Sequence, residues 1–309
     1  MSGMQPSLLV VGSVAYDTVR TAYETGEGLL GGSASHFSFS AALTGVIPRL
    51  VAVVGDDFSA DDLARLEAVG ADLAGVARMS GASFRWGGEY NADFSERETL
   101  FTELGVFENF EPVLPGDLAQ EKVVFLANIH PVLQGQVLEA VDSPSLVALD
   151  TMNLWINITP DELKAVLPNI DLLFINDEEA RLLGEHHNLV CAGEEIIKLG
   201  PKAICLKKGE HGVLLFVDGE IIPLPAYPVR KLVDPTGAGD SFAGGVMGEL
   251  AKAGTLNAES LREAALAGTG LGSLAVEGLG VTGLEGRKVE EITDRLSPFK
   301  ELLGISSKA

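Results

Sequence analysis

The stretch DPTGAGDSFAGG, residues 234–245, joins a glycine-rich turn to an apolar segment that is typical of a helix. Pro235 excludes a continuing strand, while Gly237 and Gly239 permit positive φ angles. The first N–H groups of a helix are unpaired, and they lie at the positive end of its dipole. Such a turn binds an anion without any side-chain cation. We therefore predict a phosphate-binding loop at residues 236–239.

Asp240 follows this loop directly, where a carboxylate would repel a bound phosphate. The repulsion is useful only if Asp240 accepts a proton from a nucleophile that approaches the phosphate. The alternative is that Asp240 simply caps the helix, a role in which Asp is common. Two other phosphate motifs are excluded, because Phe242 stands where a dinucleotide fingerprint needs its third glycine and no GxxxxGK[ST] occurs.

Seven short apolar segments recur along the chain, each bounded by turn residues. They cover residues 8–14, 49–55, 122–128, 146–150, 172–176, 203–208 and 212–219. Continuous apolar runs of this length are typical of strands buried on both faces of a parallel sheet. Helical patterns separate many of them, with Ser59 as a candidate N-cap and Gly184 just past a helix end. The alternation predicts an α/β fold: a doubly wound, mainly parallel sheet flanked by helices.

Two segments interrupt this alternation, at residues 15–32 and 82–105. Both alternate polar and apolar residues and contain turn glycines, which is typical of half-exposed antiparallel strands. We expect them to form a small sheet over one end of the main sheet. The last third of the chain predicts helices at 241–254, 259–280 and 288–304. Because no repeat or low-complexity linker occurs, we predict one domain over residues 1–309 with a small β lid.

The composition excludes several classes of partner. The chain carries 22 Lys and Arg against 44 Asp and Glu, a net charge of −22, which disfavours electrostatic binding of nucleic acid or anionic membranes. Cys191 and Cys205 are too few for a disulfide framework and lack zinc-site spacing, and Cys205 is expected in the core. No secretory signal or membrane-length apolar run is evident, so we expect a cytoplasmic protein.

The order of motifs resembles that of the ribokinase-like sugar and nucleoside kinases, also called the PfkB family. DPTGAGDSFAGG is similar to the family's C-terminal signature over its full length. The supporting motifs are GSVAYD (12–17), GGSASHFSFSAALTG (31–45), NDEEA (176–180) and KKGEHG (207–212). The resemblance covers essentially the whole chain, and the two interrupting segments fall where the family places its lid. It implies an ATP-dependent transfer of the γ-phosphoryl group to a hydroxymethyl group of a small sugar or nucleoside.

The resemblance also implies a catalytic set. Asp240 becomes the base that accepts the proton of the substrate hydroxyl, and the amides of Gly237, Ala238 and Gly239 donate to the charge that develops on the phosphoryl group. Phosphoryl transfer depends mainly on positioning and charge stabilisation, which fixed N–H donors supply. An Asp with its ordinary pKa of about 3.9 is a weak base. A weak base suffices when the hydroxyl proton leaves late in the transfer of the phosphoryl group.

For ATP and Mg²⁺ the resemblance implies further residues. Asn176 and Glu179 organise Mg²⁺ and its waters, and acidic residues at a helix start are the alternative explanation. Lys207, Gly209 and Gly212 contact the nucleotide, although a solvated Lys207 is an equal alternative. In some family members the positions of Asp234 and Thr236 bind a monovalent cation such as K⁺. The adenine is expected near the helix at 259–274.

On the acceptor side, the resemblance assigns sugar hydroxyls to Asp17, with Gly31 and Gly32 as a hinge and a close-approach surface. His36 departs from the family pattern, which often has Asn there, so it either bonds a hydroxyl, stacks on a base or fills the wall. The remaining candidates around the substrate are Arg85, Trp86, Tyr90, Glu103, Asn128 and Asn153. Arg85 and Trp86 either clamp a phosphate or stack on a ring, or they form a lid edge against a second subunit.

Several alternatives remain open at this point. Sugar and nucleoside are equally favoured as acceptors. A catalytically inactive sugar- or nucleoside-binding sensor is a second hypothesis, and the intact Asp240 argues against it. A kinase of a phosphorylated sugar or vitamin precursor is a third, which would use Arg20, Arg85 and Arg97. A homodimer through the lid is expected from the resemblance. The remaining histidines are predicted to be surface or loop residues: His130, His186, His187 and His211.

Overall fold

The computed structural model describes residues 5–304 and contains thirteen strands and ten α-helices within them. The strands are β1 (Ser7–Val11), β2 (Ala15–Arg20), β3 (Thr25–Gly31), β4 (Ile47–Val54), β5 (Asp72–Arg78), β6 (Arg85–Tyr90), β7 (Arg97–Glu103), β8 (Val123–Leu126), β9 (Leu146–Asp150), β10 (Leu172–Asn176), β11 (Ala203–Lys207), β12 (Val213–Val217) and β13 (Glu220–Leu224). The helices are α1 (Ser33–Ala42), α2 (Ala60–Ala68), α3 (Pro131–Ala140), α4 (Asn153–Ile158), α5 (Pro160–Val166), α6 (Asp177–Leu183), α7 (Leu189–Ile197), α8 (Ala238–Ala253), α9 (Ala258–Ala275) and α10 (Val289–Leu302).

Nine strands form the main sheet, in the order β13-β12-β11-β10-β9-β8-β1-β4-β5. The seven strands from β11 to β5 are parallel, β12 is antiparallel to β11, and β13 is antiparallel to β12. The predicted fold class is therefore confirmed. All seven predicted apolar segments are strands of this sheet. The edge strands β5 and β13 were not predicted, because their half-exposed sequences lack a continuous apolar run.

Alternate residues of the central strands enter two separate cores, as strands covered on both faces require. In β1, Leu8 and Val10 pack with residues of α1, α8 and α9 on one face. Leu9 and Val11 pack with residues of α3, α5 and α6 on the other face. Cys205 of β11 is fully buried in the first core, as predicted. The two cores fix the sheet, and with it the edge at which its parallel strands end.

A second sheet of four strands, in the order β3-β2-β6-β7, forms the lid. Its strands come from the two interrupting segments, as predicted. The pairings β2–β3 and β6–β7 are antiparallel, but the central pair β2–β6 is parallel. The expectation of antiparallel strands throughout is wrong at that pair. The chain passes through the main sheet between β3 and β6, so β6 enters the lid from the same end as β2.

Helix ends follow the local chemistry closely. Ser59 is the N-cap of α2, and its hydroxyl accepts the N–H of Asp61 at 3.1 Å, while Gly184 is the C-cap of α6. The helix predicted from residue 241 begins at Ala238, so the glycine turn itself forms its first turn. Within residues 5–304 no helix has the length and apolar character that a membrane crossing requires.

Candidate active site

Polar side chains collect at the edge where the parallel strands of the main sheet end. Asp150, Asn176 and Lys207 are the last residues of β9, β10 and β11, which are neighbours in the sheet. Asn128 stands just beyond the end of β8. Ligands of open α/β sheets bind outside the carboxyl ends of the strands. The candidate site therefore lies at this edge, and the start of α8 completes it.

The glycine turn is a type II β-turn that leads into α8. Gly237, at φ 72° and ψ 4°, occupies the position at which such a turn requires glycine. The N–H of Ala238 donates to the carbonyl of Pro235 at 3.2 Å and closes the turn. Ala238 is thus not a free donor in this structure, and its predicted part in the anion hole stays a prediction. Within residues 5–304 no hydrogen bond engages the amides of Gly239 and Asp240.

Asp240 is the third residue of α8, whose N-cap is Gly237. The interpretation of Asp240 as a simple cap is therefore wrong. Burial raises the pKa of this carboxyl to about 7, and the nearby Asp150 carboxylate adds to the effect, while His36 and Lys207 oppose it. The expectation of an ordinary pKa is wrong as well. At neutral pH the group is poised to accept a proton, as a general base requires.

Lys207 is held at the start of α8 and is not solvated. Its Nζ lies 3.1 and 3.2 Å from the carboxylate oxygens of Asp150, and a Cβ atom placed on Gly239 would stand 3.2 Å from it. Burial alone would lower the pKa of Lys207, but the carboxylates of Asp150, Glu179 and Asp240 outweigh it and raise the pKa. A permanent positive charge thus lies beside the free amides of α8.

Asn176 and Glu179 form a reciprocal capping box at the start of α6. Asn176 Oδ1 accepts the N–H of Glu179 at 2.8 Å, and Glu179 Oε2 accepts the N–H of Asn176 at 2.8 Å. The start of α6 therefore uses Asn176 as its N-cap, so the local structure alone accounts for this residue. Burial raises the pKa of Glu179 to about 7, with Lys207 opposing and Asp150 supporting the rise.

The donor set at Asn176 and Glu179 fits an outer-sphere magnesium site better than an all-protein cage. Among residues 5–304 no group of three or more His, Cys, Asp or Glu side chains could hold a metal ion. Magnesium usually keeps several waters and binds through one or two carboxylates plus substrate phosphates. The Glu179 carboxylate, which is buried and near Lys207, suits that arrangement.

The KKGEHG loop, residues 207–212, turns sharply after β11. Gly209 and Gly212 have φ angles of 54° and 89°, and the N–H of Lys208 donates to Gly212 O at 2.7 Å. A Cβ atom on Gly212 would overlap the Leu224 carbonyl, so only glycine fits there. Both glycines are thus explained by the shape of the loop. Their predicted contact with the nucleotide stays a prediction.

Some of the predicted acceptor residues lie close to Asp17 of β2, which is buried. A Cβ atom on Gly31 would overlap the Asp17 carboxylate, so the glycine makes room for that side chain. Gly32, at φ 89°, is the N-cap of α1, where a Cβ would stand 2.5 Å from Ser13 O. His36 Nε2 lies 3.9 Å from Asp17 Oδ2. The ring of His36 also lies against Gly237, where a Cβ would overlap it.

The register of β2 and β6 divides the lid candidates between two faces. Asp17 is opposite Trp86, so these side chains share a face, and Tyr90 lies on that face four residues further along β6. The Tyr90 hydroxyl is 3.1 Å from Thr236 Oγ1, and the Arg97 guanidinium lies 5.1 Å from the Trp86 ring. This face is therefore turned toward the glycine turn.

Arg85 and Glu103 lie on the opposite face of the lid. Arg85 donates to Asp57 Oδ2 at 2.7 Å and stacks 5.1 Å from the ring of Tyr16, while Glu103 is its register partner. The structure does not bring these two residues to Asp17. Neighbouring residues of a strand point to opposite faces, so Arg85 lies away from Trp86, and its predicted contact with the substrate stays a prediction.

Asp234 holds the glycine turn against the rest of the chain. Its Oδ1 accepts the N–H of Thr236 at 2.8 Å and its Oδ2 accepts the N–H of Gly280 at 3.0 Å. These bonds give Asp234 a structural role without any ion. A monovalent cation at Asp234 and Thr236 stays a prediction.

The two predicted asparagines differ in placement. Asn128 accepts a hydrogen bond from Trp155 Nε1 at 2.8 Å, and its amide contacts Met152 Sδ at 3.2 Å, so its side chain is fixed near the cleft. Asn153 is exposed at the start of α4. Asp150 was missed. The signal was present, since ALDTMN places a carboxylate at the end of a buried strand, as NDEEA and LAN place their polar residues.

Comparison with known proteins agrees with this geometry. The family model described as "pfkB family carbohydrate kinase" matches residues 5–285. The chain is 29% identical over 246 residues to the cytidine kinase of Thermococcus kodakarensis, covering 78% of this chain and 87% of that protein. It superposes on the nucleoside kinase of Methanocaldococcus jannaschii with a TM-score of 0.76, at 20% identity, over 96% and 100% of the two chains. For a putative ribokinase II from E. coli in complex with ATP and Mg²⁺, the TM-score is 0.77 at 19% identity, over 95% of this chain and 99% of that chain.

Proposed function

Since the chain belongs to the pfkB family of carbohydrate kinases, we propose that it transfers the γ-phosphoryl group of ATP to the hydroxymethyl group of a nucleoside. The observation that carries this proposal is the convergence at the start of α8. There a carboxyl with a pKa of about 7, the amides of Gly239 and Asp240, and the Lys207 ammonium stand together. One imidazole ring, that of His36, separates them from Asp17.

Each chemical requirement of the phosphoryl transfer is met by a group in this arrangement. The Asp240 carboxylate takes the proton of the acceptor hydroxyl. At the same time the hydroxyl oxygen bonds to the γ-phosphorus, and the bond between that phosphorus and the ADP oxygen breaks. The free amides and Lys207 stabilise the negative charge on the transferred group, because fixed donors and charges need no rearrangement as that charge develops. Asp17, buried on the lid side, accepts hydrogen bonds from the acceptor's other hydroxyls and so fixes its orientation.

Magnesium would be held through water by Glu179 and Asn176, and when bound it neutralises part of the phosphate charge. The likeness to a fold neighbour crystallised with ATP and Mg²⁺ supports this choice of co-substrate and metal. The chain's own contribution is a buried carboxylate held in place by the capping box.

A nucleoside is favoured over a simple sugar by two observations. The relatives include proteins named cytidine kinase and nucleoside kinase. Trp86 lies on the lid face that also carries Asp17, where a planar ring suits an aromatic base. Of the three arginines that a phosphorylated acceptor would use, Arg85 is paired with Asp57 and Arg20 is exposed at the end of β2. Arg97, over the Trp86 ring, is the one that lies on the face with Asp17, so one cation at most serves a second phosphate.

The test is ADP release by the purified protein with ATP, Mg²⁺ and a panel of nucleosides and sugars, with the product identified by phosphorus NMR. We expect a nucleoside 5′-phosphate, and loss of turnover in Asp240→Asn. Turnover with sugars alone would refute the nucleoside as acceptor. Tight binding of a nucleoside without any turnover would instead favour the sensor hypothesis.

A further inference from the structure

His36, in α1, is the most unusual polar residue of the site. It is 1% exposed, and neither of its ring nitrogens has a hydrogen-bond partner among residues 5–304. Buried polar groups almost always have partners, so an unpartnered pair of ring nitrogens requires an explanation. The ring touches two parts of the site: the Asp17 carboxylate, 3.9 Å from Nε2, and the backbone of Gly237.

We propose that His36 is a positioning residue that couples the acceptor-binding carboxylate of Asp17 to the anion loop at Gly237. This inference rests on the proposed function. The separation of 3.9 Å exceeds a hydrogen bond by about 1 Å. A small rotation of Asp17, when an acceptor hydroxyl binds one of its oxygens, brings the other oxygen to the imidazole N–H. Binding of the acceptor then fixes the carboxylate between two partners.

The contact of the His36 ring with Gly237 affects the anion loop, at the end of the site away from Asp17. Gly237 is the N-cap of α8, and its lack of a Cβ allows the His36 ring to lie directly against its backbone. The ring thereby supports the type II turn from the side of the acceptor. Because Gly239 and Asp240 follow that turn, the position of the ring helps to set where the free amides and the base point.

The charges around the ring favour an imidazolium in this place. Acidic groups face it from three elements: Asp17 on β2, Asp240 on α8 and Asp234 in the turn. Burial lowers the pKa of His36, but these carboxylates outweigh it and raise the pKa above its ordinary value. A positive charge at His36 offsets the acidic residues in a cleft that must also receive phosphates.

Two variants separate the two contacts. His36→Phe keeps a ring against Gly237 but removes the N–H that Asp17 needs. We expect the KM of the acceptor to rise about tenfold, which corresponds to the loss of one hydrogen bond to a charged group, and the KM of ATP to change little. His36→Ala removes the ring as well, and we expect kcat to fall about 100-fold, the effect of a displaced catalytic group. His187→Phe, at an exposed histidine, is the matched control and should change neither constant.

The outcomes that overturn the proposal are specific. An unchanged acceptor KM in His36→Phe would overturn it. The double variant Asp17→Asn plus His36→Phe would overturn it as well if its fold-change in acceptor KM equalled the product of the two single fold-changes. Long-range ¹H–¹⁵N spectra of the imidazole need no turnover, and Asp17→Asn should shift the His36 signals in the unliganded protein. Unshifted signals contradict the coupling. If the wild type phosphorylates no acceptor, the proposed function fails while the spectra still decide this proposal, even if His36→Ala does not fold.

Discussion

The ammonium group of Lys207 lies 3.1 Å from the Asp150 carboxylate, and the two side chains are only 18% and 7% exposed. They belong to β11 and β9, on either side of β10. The pair thus spans the strand that ends in Asn176 and fixes a positive charge beside the first turn of α8. A buried ion pair contributes little net stability, but removing one partner leaves an uncompensated buried charge.

We expect Asp150→Asn to lower the free energy of unfolding by about 3 kcal/mol, because Lys207 then stays charged without its partner. Lys207→Met should also lower the free energy of unfolding, because it leaves the Asp150 carboxylate buried without its partner, and it should lower kcat about 100-fold through loss of charge beside the amides. The double variant should recover most of the lost stability. Urea denaturation measures all three, and additive losses in the double variant would contradict the pairing.

Asp240→Asn should lower kcat by about 100- to 10,000-fold, the usual contribution of a positioned general base. The change keeps the shape of the side chain, so the KM values for ATP and acceptor should change little. Asp161→Asn is a matched control, because Asp161 also lies in the first turn of a helix, α5, but is exposed. Steady-state kinetics of both variants test this, and a kcat within threefold of the wild type would exclude Asp240 as the base.

The pKa of about 7 at Asp240 makes activity depend on pH in the neutral range. Only the deprotonated carboxylate accepts a proton, so kcat/KM should rise with pH and level off above an inflection near 7. Glu179 has a similar pKa of about 7, and Glu179→Gln should keep the inflection if Asp240 causes it. Initial rates from pH 5 to 9 provide the measurement. A profile that is flat from pH 5 upward would show that the group is already ionised.

The sequence allowed the glycine turn before α8 and the main sheet to be predicted because both depend on local chemistry. Positive φ at Gly237 and Gly212, and the buried runs of β1 and β10, are visible in short windows. The contact of His36 with Gly237 joins residues about two hundred positions apart, and no window contains it. The raised pKa of Asp240 depends in the same way on a distant Asp150. The face on which Arg85 lies depends on strand parity, and only the register with β2 decides it.

The raised pKa of Asp240 also predicts a stability effect. Its folded pKa lies above the unfolded value, so the folded state holds the proton more tightly, and stability decreases as pH rises between the two values, up to about pH 7. Above pH 7 the wild type bears the full cost of a buried charge, which Asp240→Asn avoids. The variant should therefore melt higher than the wild type, and by more at pH 8 than at pH 5. Thermal unfolding at both pH values measures this, and an equal difference at both would contradict it.

Gly31→Ala tests whether Asp17 binds the acceptor. The new Cβ would overlap the Asp17 carboxylate and must push it aside, because the side chain lies directly over Gly31. We expect the KM of the acceptor to rise at least tenfold, with the KM of ATP unchanged, since the residues predicted to bind the nucleotide lie at the ends of β10 and β11. Gly135→Ala in α3 is the control: its Cβ would meet only Val166 at 3.8 Å, and it should stabilise the helix by up to about 1 kcal/mol. An unchanged acceptor KM in Gly31→Ala, with the fold intact by circular dichroism, would remove Asp17 from the acceptor site.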